Sequence, residues 1–172
     1  GASAVAHHGG EIRVWDVEGG RMMSSFAAHD GPAHTCAHME GVGLLASAGM
    51  DGGIFLWDMR QPRPVSRAHT GHAVYALTPH PPPHPNALLS AGHDGMVRLW
   101  DVRGGRLSAV LTLQAHKAPV RALVVEGRKE GRWEGRAVWS GSTDGTVRCW
   151  ELAQLQLSSN RANRQVSGTF SK

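Results

Sequence analysis

Cysteine is scarce in this chain of 172 residues: there are two, Cys36 and Cys149. Two thiols are no disulfide framework, which excludes the small cross-linked secreted scaffolds and points to a reducing, intracellular setting in the cytoplasm or the nucleus. Both cysteines sit in strand-like stretches and read as small apolar filler. Long apolar runs are missing too, and none approaches the roughly 20 residues that a membrane-crossing helix needs. The first residues, GASAVAHHGG, lack an initiator Met and the charged-then-apolar order of a secretory leader, so the chain reads as soluble and as cut from something longer. Nor is there a dense run of one charge. The net charge is +4, but the basic residues are mostly scattered singly, and the densest stretch, EGRKEGRWEGR at 126–136, contains acids as well. That favours a solvated loop over a nucleic-acid patch.

Glycine, by contrast, is plentiful at 22 residues, and proline reaches 9. Val, Leu and Trp cluster in short runs between Gly and Asp, the composition of many short strands joined by tight turns in an all-β fold. Four of those runs align with one another: EIRVWDV at 11–17, GIFLWDM at 53–59, MVRLWDV at 96–102 and TVRCWEL at 146–152. Their tryptophans, Trp15, Trp57, Trp100 and Trp150, are separated by 42, 43 and 50 residues. An Asp-Gly turn precedes the last three, and Gly there supplies the positive φ of a tight hairpin. In each of these three units Asp stands six residues before Trp, and Ser four before Asp. A histidine opens each unit, 18, 18 and 24 residues before its Ser; the six extra residues of the third unit fall within 126–136.

A period near 40–45 residues with a Trp-Asp signature resembles the WD40 repeat, whose unit is a propeller blade of four strands. The resemblance covers nearly the whole chain up to about residue 157. It implies an all-β fold of WD40 β-propeller blades, each a four-stranded antiparallel sheet. About three and a half blades are present. Residues 1–20 end a degenerate, truncated blade, 21–157 hold three WD40 repeats, and 158–172 form a polar C-terminal tail. The first blade departs from the pattern, with Gly9 at the Asp place and Val5 at the Ser place. A propeller closes with roughly 4–8 blades, so the chain is read as a partial propeller.

His, Ser and Asp are also the members of a hydrolase triad. The donor and acceptor inventory argues for another use. Trp Nε1–H donates to Ser Oγ, Ser donates to His, and the second His nitrogen donates to Asp, which satisfies every group in a buried, rigid relay. A nucleophilic serine needs a free hydroxyl and one copy per site; this set recurs three times. The expectation is therefore a scaffold, with no catalytic residue and no enzyme activity. The WD40 resemblance implies the same sets: His29, Ser47, Asp51 and Trp57; His72, Ser90, Asp94 and Trp100; His116, Ser140, Asp144 and Trp150. On this reading His72→Ala leaves buried partners unpaired and costs roughly 1–3 kcal/mol.

Function is then expected on the loops. Met50, His93 and Thr143 stand just before the turn aspartates, and Asp30, Ala73 and Lys117 beside the opening histidines; all six resemble the contact positions of WD40 platforms that bind proteins or peptides. Arg60 and Arg103 close two Trp-Asp-x-Arg strings, which resemble the box by which substrate receptors dock onto the adaptor of cullin-type ubiquitin ligases. Arg suits carboxylate pairing at such an interface, and also pairing with its own preceding Asp. Trp133, set among charges, is a candidate interface anchor. TPHPPPHPN at 78–86 is an extended Pro-rich loop. No cofactor is expected. GVGLLA at 41–46 is no phosphate loop, having Ala46 at the third Gly place. The histidine pairs 34/38, 69/72 and 80/84 lack the further ligands of a metal site. The leading expectation is a non-catalytic scaffold or adaptor, with the ligase receptor as its sharper form. The alternative is the regulatory propeller of a larger enzyme, a kinase or trafficking factor. Nucleic acid is a weaker expectation, and a membrane span is excluded.

Overall fold

The computed structural model describes residues 2–80, 85–126, 128–129, 132–133 and 137–151. The first sheet orders β1 (Ala2–Ala6), β2 (Glu11–Asp16) and β3 (Arg21–Ala27). The second orders β4 (Ala33–Met39), β5 (Leu44–Gly49), β6 (Gly53–Trp57) and β7 (Ser66–His69). The third orders β8 (Val74–Pro79), β9 (Ala87–Gly92), β10 (Met96–Asp101) and β11 (Ser108–Gln114). The fourth begins with β12 (Val120–Val125), which is followed in the chain by a two-stranded hairpin of β13 (Arg128–Lys129) and β14 (Arg132–Trp133). Its other described strands are β15 (Ala137–Ser142) and β16 (Val147–Glu151), in the order β12-β15-β16. All pairings are antiparallel. The innermost strands β4, β8 and β12 lie side by side, β4 against β8 and β8 against β12. This is a partial β-propeller of antiparallel blades.

The strand sequences follow from that arrangement. A strand covered on both faces has no reason to alternate apolar with polar residues, and β5 (LLASAG) and β9 (ALLSAG) are buried almost from end to end. Three apolar layers fill the gaps between consecutive sheets. Ile12, Val14 and Phe26 of the first sheet meet Leu45 and Trp57 of the second. Ala46, Ile54 and Leu56 of the second meet Val74, Leu88 and Trp100 of the third. Leu89, Val97 and Leu99 of the third meet Val120, Val138 and Trp150 of the fourth. Each repeat tryptophan therefore faces the preceding blade. The outward faces of the first and fourth sheets differ: Val5 and Trp15, and Val124, Trp139 and Val147, stand exposed there.

The Asp-Gly hairpins form in all three repeats. Gly52, Gly95 and Gly145 have φ of 76°, 73° and 81°. Each turn aspartate accepts the amide two residues on: Gly53 N–H on Asp51 at 3.0 Å, Met96 N–H on Asp94 at 3.0 Å, Thr146 N–H on Asp144 at 2.9 Å. A Cβ on Gly95 would run into the His116 carbonyl oxygen, whereas one on Gly145 would meet open space. Gly95→Ala is accordingly expected to cost about 1–3 kcal/mol for a strained and obstructed backbone. Gly145→Ala should cost about 1 kcal/mol, for the left-handed φ alone. Urea unfolding midpoints of the two variants check the order; equal losses would contradict it.

Candidate functional site

The relays form where the outer strand of one blade hands over to the inner strand of the next. In the second sheet, His29 Nδ1 lies 3.0 Å from Asp51 Oδ1, and Nε2 lies 2.9 Å from Ser47 Oγ. Trp57 Nε1 donates to the same Oγ at 2.9 Å. A carboxylate only accepts, so Nδ1 carries the proton; in the neutral ring Nε2 then accepts from the Ser47 hydroxyl. The fourth sheet repeats this. His116 Nδ1 sits 3.1 Å from Asp144 Oδ2, Nε2 sits 2.8 Å from Ser140 Oγ, and Trp150 Nε1 donates to Ser140 at 3.0 Å. Thr146 adds a hydroxyl bond to Asp144 at 2.6 Å. Both imidazoles and both serines are buried.

The third sheet corrects the expectation for His72. Trp100 Nε1 donates to Ser90 at 2.8 Å, but the His72 ring is exposed and bonds neither Ser90 nor Asp94. Counted back from the inner strand, the place of His29 and His116 falls at Thr70; counted on from the outer strand it falls at Gly71, because the β7–β8 connection is one residue shorter than its counterparts. The amides of His29, Thr70 and His116 donate to the carbonyls of Gly10, Gly52 and Gly95, each at 2.9 Å, and each residue stands four positions before the inner-strand opening at Ala33, Val74 or Val120. His72 lies too late by either count. The Thr70 hydroxyl turns to the carbonyls of Gly52 and His72, at 3.1 and 2.7 Å. Asp94, without an imidazole, is paired instead with Arg98, a largely buried ion pair with side chains 10% and 15% exposed. Arg148 stands at the matching register opposite Ser140, but Asp144 is held by His116 and Thr146, and the Arg148 Nε has no hydrogen-bond partner among the described residues.

The electrostatics match these contacts. The Thr146 hydroxyl bond, helped by the Thr146 amide and His116, holds the Asp144 carboxyl far below the usual carboxylate range. Burial pushes Asp51 upward, but the amides of Gly53 and Asp30 with His29 outweigh it and the net direction is down. Burial likewise opposes, and Arg98 with the Met96 amide prevails, at Asp94. The Ser47 and Ser140 hydroxyls are each held between an imidazole and an indole, so neither is a free nucleophile.

Around the relays, Met50, His93, Thr143, Asp30 and Lys117 are exposed on the connecting loops, and Ala73 is half-buried. Arg60 and Arg103 stand out on the loops that follow the Trp strands, with side chains 88% and 76% exposed. Each folds back on its own Trp-Asp carboxylate. Arg60 Nη2 donates to Asp58 at 2.8 Å, and Arg103 Nε donates to Asp101 at 2.7 Å. The Arg60 bond brings the Asp58 carboxyl down to about 2. The backbone of Trp133 lies in β14; its side chain lies outside the described residues, as does the Pro-rich segment at 81–84. Among the described residues no three His, Cys, Asp or Glu side chains cluster as a metal site would need.

One group was not singled out by any motif. His34, Tyr75 and Arg121 are each the second residue of an innermost strand. The Arg121 guanidinium lies over the Tyr75 ring at 3.8 Å. The rings of His34 and His93 approach Tyr75 at 5.1 and 6.4 Å. The signal available in the sequence was their common register, one place past the strand opening.

Comparison with known proteins agrees with this architecture. The family model described as WD domain, G-beta repeat matches residues 20–58, 62–101 and 107–151. The methylosome protein WDR77 of Xenopus laevis is 35% identical over 57 residues, which is 33% of this chain and 17% of that protein. The match thus spans a minor part of the relative's length. With consecutive repeats matched over most of its length and folded as successive blades about one axis, the chain belongs to the WD40 repeat family.

Proposed function

We propose that the chain is a non-catalytic interaction scaffold that takes protein or peptide partners on the loops beside His29 and His116. The observation that carries this reading is a division of labour on those loops. Met50, His93, Thr143, Asp30 and Lys117 are exposed, while the Ser, His and Asp sets of the second and fourth sheets are spent on internal bonds. A rigid base under variable loops is the usual arrangement for recognition. The matched relative is by name a protein of the methylosome, with which an adaptor role agrees. Such a scaffold works inside the cell, in cytoplasm or nucleus.

A second reading, docking onto the adaptor of a cullin-type ubiquitin ligase, draws on the exposure of Arg60 and Arg103. Their pairing with Asp58 and Asp101 weakens it little, since an exposed ion pair is worth only about 0–1 kcal/mol and exchanges readily. One experiment separates the readings. Immobilised protein is exposed to cell extract and its retained partners are compared across variants. The loop-face reading expects Met50→Arg with Thr143→Arg to release them, and Arg60→Ala with Arg103→Ala to keep them. The reverse pattern would overturn it in favour of ligase docking.

A further inference from the structure

We propose that Arg121, held on the Tyr75 ring between His34 and His93, receives an oxyanion carried by a bound peptide, a carboxylate or a phosphorylated side chain. The inference deepens the scaffold reading and rests on it. A guanidinium seated 3.8 Å over an aromatic ring is held there by the ring, yet its N–H groups stay available to a planar, bidentate acceptor. Arg121 is exposed and has no carboxylate partner among the described residues. Arg98, by comparison, is occupied by Asp94. The contributing residues come from three consecutive blades, His34 on β4, Tyr75 on β8 and Arg121 on β12, with His93 from the turn between β9 and β10. They converge at the mouth of the inner strands, beside the loops that carry Met50 and Lys117.

Arg121 supplies the positive charge at this point. Burial first, then the Arg121 guanidinium, lowers the affinity of His34 for a proton, and Asp51 opposes this only in part. That carboxylate is already committed to His29. An arriving oxyanion would meet two fixed donors on Arg121, with His34 and His93 able to add theirs, and would compete with no internal acid. Charge-assisted bonds of this kind are shorter and stronger than neutral ones.

The chain has one tyrosine, so a carbon-13 label on the tyrosine ring reports on this site alone. The labelled protein is titrated with poly-L-glutamate, with a phosphoserine peptide, with poly-L-glutamine and with single-stranded DNA. Saturable movement of the Tyr75 signal with either or both anionic peptides, absent with poly-L-glutamine, is expected. In Arg121→Gln, checked as folded by its amide spectrum, the affinity should fall about tenfold or more, as loss of a charge-assisted bond implies. Lys117→Ala should retain most of it. A silent Tyr75 signal with both anionic peptides would overturn the proposal. So would undiminished binding by Arg121→Gln, or a response to DNA alone. If the proposal falls while Met50→Arg with Thr143→Arg still releases partners, the scaffold reading stands without it.

Discussion

Replacing Trp57 by alanine is expected to cost about 3–5 kcal/mol of stability, the range for truncating a buried large aromatic. The indole is 2% exposed and lies in the layer between the first two sheets, with the Phe26 ring 5.1 Å away at a tilt of 30°. Its removal opens a cavity lined by Ile12, Val14 and Leu45, and rigid sheets on either side cannot collapse into it. It also deprives Ser47 of the donor that fixes its hydroxyl. Trp57→Phe separates the two losses, since it keeps most of the ring volume and removes the N–H; about 1–2 kcal/mol is expected. Trp15 is the internal control. It occupies the same repeat position, yet Val5 stands where its serine would be and the side chain is 37% exposed. Trp15→Ala should cost well under half as much. Urea denaturation of the variants measures the series, and equal losses at Trp57 and Trp15 would contradict the packing described here.

The second large effect is a contrast between histidines. His116→Ala should destabilise by about 1–3 kcal/mol, because it leaves the buried Ser140 hydroxyl without one of its two partners and strips a bond from Asp144. His72→Ala should stay within about 0.5 kcal/mol of the parent, as for an exposed side chain with no hydrogen bond to lose among the described residues. Thermal or urea unfolding of the pair checks this. A His72 variant as damaged as the His116 variant would restore the relay that the repeat spacing implies.

That contrast also shows where reading the repeat succeeds and where it misleads. The all-β class, the antiparallel sheets, four-stranded in the second and third blades, and the Ser–Trp bonds follow from features that recur with rigid spacing. Asp to Trp lies within one hairpin, and a hairpin has no room for insertion without breaking register. His to Ser is different, for it crosses a loop at each end of the inner strand. In the second repeat His72 stands two residues before the inner-strand opening at Val74, whereas His29 and His116 stand four before theirs. The β8–β9 connection is two residues longer, as the pairings Leu77 with Ser90 and Cys36 with Ser47 demonstrate. The two changes cancel, so the spacing of 18 survives while the chemistry does not. Arg98 gave no warning, because its pairing with Asp94 is visible only once the imidazole is gone from that space. The cluster of His34, Tyr75 and Arg121 stayed hidden for another reason. Its members differ in type from blade to blade, and only the radial stacking of inner strands brings them together.

The account depends most on imidazoles locked between hydroxyl and carboxylate in two blades and absent from that place in the blade between, where Arg98 holds the carboxylate. Proton–nitrogen correlation spectra of the histidine rings test this most directly. Ring N–H signals of His29 and His116 protected from exchange with water are predicted, one lost in His29→Ala and the other in His116→Ala. A third protected signal that disappears in His72→Ala, or no protected ring proton at all, would contradict it.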